Sequence, residues 1–420
     1  MKVVHLSSSD LSGGAAIACK RIVEAQAING IDSALLVQKK ISSDPRVYST
    51  TSNILSKLHY NYRLILDEGY IRLLTNQSRG RFSNPFFGKD ISNHPLIVNA
   101  DVINLQWING GFLSLNTLRK IGSLRKPIVW TLHDMWAFTG GCHYVADCDK
   151  YLSECKQCPA LRISSNRDCS SKIFIQKREI YNNLDLTILT TSRWLGREAS
   201  RSGLLKNKKV VTIPTPIDSD LYKPLSKNSS REKMKLPLAK KIILFGAMNL
   251  SDERKGFKYL IEALKKINTL KEASYIELAV FGKIDESVLT KIPFKVNQLG
   301  RLKSETEIVA AYNAADIFVA PSLEDNLPNT IMESMSCGTS VVAFDVGGIP
   351  DMVDNGKNGI LAGLKSSDEL ADGILNLLSA DELQKRMGEE SRNKVLNNFN
   401  SQVVVSKYKE LYSSLIKNRT

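Results

Sequence analysis

No stretch of this 420-residue chain holds 18 consecutive apolar side chains, so a membrane-spanning helix is not expected. The opening residues, MKVVHLSSSD, lack the long apolar core of a secretory signal and run straight into a strand-like pattern. A bacterial-type cytoplasmic location is therefore expected. Zinc-finger, RNA-recognition and helix-turn-helix signatures are missing, and nucleic acid is not an expected partner although the chain is basic. There is no fixed repeat and no low-complexity tract, which excludes solenoids and disordered arrays. The first glycine pair, Gly13-Gly14, does not have the G-x-G-x-x-G spacing of a dinucleotide fingerprint.

What is present is a large, ordinary globular composition. A length of 420 residues suggests two or three domains, and 43% hydrophobic residues is enough to fill their cores. Lys and Arg number 57 against 43 Asp and Glu, a formal charge of +14. The basic residues are spread along the chain. They form either a solvated surface or an attraction to an anionic membrane carrying lipid-linked acceptors. Of seven cysteines, Cys142, Cys148, Cys155 and Cys158 fall in one segment with the spacing C-x5-C-x6-C-x2-C. Structural zinc, reduced thiols and disulfides are all compatible with that spacing.

Strand-like and helix-like segments alternate along most of the chain. KVVHLSS (2–8) reads as a strand, SDLSGGAA as a loop, and IACKRIVEAQAING as a helix. Gly13 and Gly14 then make either a phosphate cradle or a tight turn. KPIVWTLHD ends a strand on His133, which points into the ligand crevice of a parallel sheet or packs as a core histidine. Residues 42–98 are less regular. They contain an amphipathic stretch at 55–74, either core-facing or lying on a membrane, and the basic run RGRF at 79–82. A Pro-, Ser- and Lys-rich segment reads as a linker, after which the alternation resumes at KIILFGAM. The expected division is an N-terminal domain at 1–215, a linker at 216–240, a second domain at 241–398, and a helix at 399–420 packing back toward the first domain.

The most informative stretch is Ile317–Gly348, IFVAPSLEDNLPNTIMESMSCGTSVVAFDVGG. It reads as strand, loop, helix and strand, with Gly338 as the helix stop and Gly347-Gly348 closing the second strand. Asp325 and Glu333 stand eight positions apart around the helix start. Carboxylates accept hydrogen bonds from vicinal hydroxyls, and helix N-termini hold anions. Polyol and phosphate recognition together point to a nucleotide sugar.

These segments together resemble the retaining glycosyltransferases of family 4, over nearly the whole chain. The resemblance rests on HLSSSDLSGGAA, WTLHD, SRWL, IPTPIDSDLYKP, SDERKGFKYLIEAL and, most strongly, VAPSLEDNLPNTIMESMSCGTSVVAFDVGGIPDMVDNGKNGIL. It implies an α/β fold of two Rossmann-like domains facing across a cleft, the GT-B architecture. It also implies transfer of a hexose from a UDP- or GDP-sugar, with retention, to a lipid-linked or growing saccharide. The cysteine segment and DNLPN resemble a subgroup active in bacterial surface-polysaccharide assembly. On the family pattern, His133, Arg254, Lys255, Asp325 and Glu333 carry the catalysis. Gly13, Gly14, Gly246, Arg254, Lys255, Asp325, Asn326, Leu327 and Glu333 bind the donor. No cofactor is expected for catalysis. Three departures stand out: the acid pair is Asp325 and Glu333 rather than two glutamates, with Glu324 one residue off register; the Gly-Arg after the first strand of the second domain is replaced by FGAMN; and Thr215 replaces an Asn. A nucleotide-sugar epimerase and a non-catalytic carbohydrate-binding relative are the alternatives on the same architecture.

Overall fold

The computed structural model describes residues 1–51, 53–76, 82–283 and 286–417. Arg79, Gly80 and Arg81 of the basic run lie outside the described residues. The chain forms two units, one of residues 1–216 with 404–420 and one of residues 217–403.

The first unit is built on a seven-stranded parallel sheet in the order β3-β2-β1-β4-β5-β6-β7. Its strands are β1 (Lys2–Ser9), β2 (Asp32–Lys39), β3 (Val47–Ser49), β4 (Val102–Leu105), β5 (Ile128–Leu132), β6 (Leu186–Thr190) and β7 (Lys209–Thr212). VINL, IVWTL and LTILT are buried along their whole length, as strands covered by helices on both faces must be. Helix α1 (Gly14–Ile28) follows β1, α2 is Ile54–Leu74, and α3 is Cys169–Asn182.

The second unit repeats the plan with six parallel strands in the order β10-β9-β8-β11-β12-β13. These are β8 (Lys241–Asn249), β9 (Ile276–Lys283), β10 (Val296–Gly300), β11 (Ile317–Ala320), β12 (Ser340–Phe344) and β13 (Gly359–Ala362). The helices that matter for the site are α4 (Phe257–Ile267), α5 (Glu305–Ala314) and α6 (Asn329–Ser336). The expected α/β class with two parallel-sheet domains is the one observed. In each sheet the strand order reverses once, between β1 and β4 and between β8 and β11. Loops leaving the carboxyl ends of those neighbours diverge to opposite faces and leave a crevice.

Helix α7 (Ser401–Lys417) packs within the first unit. Its Val404, Val405, Tyr408 and Tyr412 share a core with Val3, Ile22, Val129 and Leu189. The Tyr412 hydroxyl accepts hydrogen bonds from Asn104 at 2.7 Å and Gln26 at 3.3 Å.

The segment read as a linker is part of the second unit. A helix at Lys227–Met234 buries Arg231, whose guanidinium meets Asp316 at 2.7 Å and the carbonyls of Ala314 and Leu238 at 3.0 and 2.7 Å. Asp316 also accepts from the backbone of Ile242 at 2.6 Å and from Lys227 at 2.9 Å. A composition rich in Lys and Ser conceals one buried, fully partnered arginine. Removing one member of a buried pair strands the other, so Arg231→Ala should lower the unfolding free energy by about 3 kcal/mol. Urea denaturation checks this; a loss under about 0.5 kcal/mol is what a solvated linker would give.

Candidate active site

In the second unit, the loops after β8, β11 and β12 converge at the order reversal. Gly256 lies between Lys255 and α4 with φ of 65°, and a Cβ there would sit 1.8 Å from the Pro321 carbonyl oxygen. Gly347 has φ of 59°, and its Cβ would sit 2.0 Å from the Asp325 carbonyl oxygen. Both positions therefore require glycine, in conformation and in space. Between them they clamp the 321–327 loop. Backbone bonds hold it too: Leu323 N–H donates to the Arg254 carbonyl at 2.7 Å, and Gly348 N–H to the Asp325 carbonyl at 3.1 Å.

This clamping brings together two of the sequence-derived candidates. Lys255 Nζ donates to Asp325 Oδ2 at 2.6 Å, with both side chains partly open to solvent. The other Asp325 oxygen accepts from the Asn326 N–H at 3.1 Å. Arg254, adjacent to Lys255, pairs with Asp252 at 2.9 Å. Of the two neighbouring acids, Asp325 is buried and paired across loops while Glu324 is half-exposed. Leu327 is half-buried, and Pro328 caps α6 without a side-chain hydrogen bond.

Glu333 lies farther along α6 and is buried. Tyr312 of α5 donates its hydroxyl to Glu333 Oε2 at 3.0 Å. Burial, reinforced by the adjacent carboxylate, pushes the Tyr312 phenol well up, which keeps it a donor. Tyr312 is wedged edge-on against Phe281 and Phe318. Gly246 lies within β8 rather than in the loop, and a Cβ there would sit 2.1 Å from the Phe281 ring. A side chain there would displace Phe281, whose ring packs edge-on against Tyr312. Tyr312 was not singled out from the sequence, because nothing local marks a tyrosine 21 positions before the acid it holds.

In the first unit, Gly13 and Gly14 sit where β1 passes into α1. Gly13 has φ of 103°, and a Cβ built there meets nothing within 4 Å, so the backbone is open to close approach. His133 follows β5, beside the β4 end, in a small pocket also lined by Gln106, Trp107, Asn109 and Asp134. Gln106 donates through Nε2 to His5 Nδ1 at 3.0 Å and Asn104 Oδ1 at 3.2 Å, so its Oε1 is an acceptor. His133 Nε2 at 2.7 Å from that oxygen is thus the protonated nitrogen, and Nδ1 is the ring's acceptor position. Burial lowers His133 to about 4, against the opposing charge of Asp134. The neighbouring Asp134 is a site residue that sequence reasoning passed over. It accepts from Trp107 Nε1 at 3.1 Å and from the Trp136 N–H at 2.9 Å, and it lies 2.7 Å from His143 Nδ1. His143 stacks on Trp107 and continues to Ser83 Oγ at 2.8 Å. The signal was the adjacent acid in the string LHD.

The four clustered cysteines are free thiols. The Cys142 thiol hydrogen-bonds Cys158, which raises Cys142 and lowers Cys158. Among the described residues no three His, Cys, Asp or Glu side chains gather as a metal-ligand group. The buried Lys177 lies near enough to Cys155 and Cys142 for their charges to favour its ammonium form. The Asp-x-Asp strings 147–149 and 218–220 form no such group either. Asp218 instead closes a turn, accepting from Asp220 and Leu221 at 3.0 Å each.

Residues 239–380, the stretch that carries this loop cluster, match the family described as Glycosyl transferases group 1. The matched segment lies wholly within the second unit. The chain is 25% identical over 219 residues to N-acetyl-alpha-D-glucosaminyl L-malate synthase of Bacillus anthracis, covering 50% of this chain and 55% of the relative. It is 27% identical over 217 residues to UDP-Gal:alpha-D-GlcNAc-diphosphoundecaprenol alpha-1,3-galactosyltransferase of Escherichia coli, covering 50% of this chain and 56% of that protein. These alignments span about half the length of each relative. Among solved structures, Anabaena HepE in complex with UDP and glucose superposes with a TM-score of 0.66 at 17% identity, over 99% of this chain and 100% of that one. That likeness establishes the fold, and the fold neighbours are GT-B glycosyltransferases.

Two buried histidines give a pH test of the first unit. His5, like His133, is lowered by burial to about 4. An unfolded histidine binds its proton near pH 6.5, so the unfolded chain takes up protons first as pH falls. The stability tied to the neutral rings is fully present above about pH 6.5 and is lost between about 6.5 and 4, at up to about 1.4 kcal/mol per pH unit per ring. NMR titration should show both imidazoles unchanged from about pH 8 to 5.5. A His133 midpoint near pH 6.5 would contradict the buried, Gln106-bonded tautomer.

Proposed function

We propose that this protein is a retaining hexosyltransferase. It moves a sugar from a UDP- or GDP-sugar to a lipid-linked or growing saccharide in bacterial surface-polysaccharide assembly, in the cytoplasm. The observation that carries the reading is the Lys255–Asp325 pair, fixed by two obligatory glycines at the order reversal of a sheet whose sequence matches the group 1 family. The Escherichia coli relative is named for UDP-Gal and a diphosphoundecaprenol-linked sugar, and HepE was solved with UDP and glucose, which favours the same substrate classes here.

In this reading the Lys255 ammonium neutralises charge that develops on the departing nucleoside diphosphate. Asp325 holds that ammonium in position before the donor arrives, so little reorganisation is needed in the transition state. Arg254 adds positive charge beside it. Glu333, oriented by Tyr312, accepts hydrogen bonds from the ribose hydroxyls. Backbone groups at Asn326 and Leu327 meet the sugar or its phosphate, and Gly13 and Gly14 give a second backbone surface close approach. His133 Nδ1 accepts a hydrogen bond from a sugar hydroxyl. The bond from the anomeric carbon to the diphosphate breaks as the acceptor oxygen attacks the same face. The acceptor proton passes to the leaving phosphate. No pair of carboxylates is needed as nucleophile and acid, in contrast to a glycosidase.

Incubation with a panel of UDP- and GDP-sugars tests this. Slow release of the nucleoside diphosphate, faster with a polyprenyl-linked acceptor, is the expected result. Interconversion of sugar epimers, or binding without turnover, would replace the reading. Lys255→Ala and Glu333→Ala should each reduce turnover more than about a hundredfold, or about 3 kcal/mol of transition-state stabilisation, with the folded state retained by circular dichroism. Near-wild-type turnover in either variant rules out the site assignment. EDTA should leave turnover intact; loss restored by magnesium or manganese would show a metal requirement.

A further inference from the structure

Helix α2 is turned inside out. Its inward face is polar: Arg63 donates to Gln38 Oε1 at 3.1 Å and the Gly111 carbonyl at 3.2 Å, and buried Asp67 accepts from Asn84 at 2.6 Å. Tyr70 on the same side packs edge-on against Phe86 and Phe87. Its outward face is apolar. Ile54, Leu55, Leu58, Tyr62, Ile65 and Leu73 are each 60–77% exposed. At about 100° per residue these six side chains fall within an arc of about 100°, with Gly69 inside the same arc. From Ile54 to Leu73 the stripe runs about 28 Å along the surface. A helix that owed its place only to core packing would present the opposite faces.

Charge says what covers the stripe. Lys57 and Arg72 are exposed along one border of it, with Glu68 as the opposing charge there. The unit that carries α2 has 33 Lys and Arg against 17 Asp and Glu, a formal +16, while residues 217–403 have 24 against 26, a formal −2. The entire basic excess of the chain therefore belongs to the unit with the apolar stripe. A second copy would bring two strongly positive units together, whereas an anionic surface would be attracted. No helix among the described residues is long and apolar enough to cross a membrane, so the stripe would lie on a bilayer rather than span it.

We propose that the outer face of α2 docks flat onto an anionic lipid bilayer, its apolar stripe at the acyl boundary and Lys57 and Arg72 among the headgroups. This deepens the reading of a lipid-borne acceptor and rests on it only for its purpose. The test needs neither donor nor acceptor. The full chain should sediment with phosphatidylglycerol-containing vesicles and not with phosphatidylcholine alone, and high salt should weaken the binding. A Leu58→Ser, Ile65→Ser double variant should lose at least about tenfold in partitioning, with melting temperature and donor hydrolysis unchanged. A Lys57→Gln, Arg72→Gln variant should bind less and with weaker salt dependence. Wild-type protein that stays in the supernatant with anionic vesicles overturns the proposal, as does a double serine variant that binds like wild type. A wild-type dimer that the double serine variant dissociates would also overturn it, marking the stripe as a contact between copies. A transferase that ignores vesicles loses this inference alone; a vesicle-bound protein without transferase activity loses only the proposed function.

Discussion

A parallel strand cannot be joined to its parallel neighbour by a tight turn. Each join must cross over through a helix on one face of the sheet, and it must do so with one hand. That constraint organises both units. Where the chain changes the direction in which it adds strands, successive crossovers go to opposite faces and no helix covers the carboxyl ends. In residues 217–403 this happens between β8 and β11, and the loops after those strands carry Lys255 and Asp325. The ion pair therefore follows from topology first and side-chain choice second. Gly256 and Gly347 are the local terms that let three loops approach closely enough for it to form.

The other unit shows how a sheet interior can set the chemistry of its edge. A chain of hydrogen bonds runs from Ser33 through Gln26, His5 and Gln106 to His133. Each amide in it has one oxygen and one nitrogen to offer, so the orientation of one fixes the next. The tautomer at the edge is determined several residues inside the core. Tyr412 of α7 joins the same network by accepting from Gln26.

The fold was largely legible because many of its strands are short, mostly apolar runs, such as IFVA, SVVAF and IVWTL, separated by glycine-marked loops. The loop cluster was legible for the same reason: Gly13, Gly256, Gly338 and Gly347 are punctuation. What could not be read depended on partners far away in the chain. Arg231 sits in a segment as polar as any linker and is buried only because Asp316 waits 85 positions later. Tyr312 looked like an ordinary helix residue, and Gly246 was expected to meet the donor; both lie against Phe281. The amphipathic stretch at 55–74 was evident in its periodicity, but periodicity does not say which face turns inward. The polar contacts of Arg63 and Asp67 decide that.

The route of the chain between the units bears on how the protein is made. The core beneath β1 and β5 is closed by Val404, Val405, Tyr408 and Tyr412. On a ribosome, residues 1–216 emerge first but lack this wall until all of 217–403 has been synthesised. A nascent chain therefore leaves the Val3, Ile22, Val129 and Leu189 side of this core uncovered throughout that interval, while the later unit can complete its own core independently. The usual order of co-translational maturation, with the N-terminal part finished first, is reversed. The first-made unit is the last to complete its core.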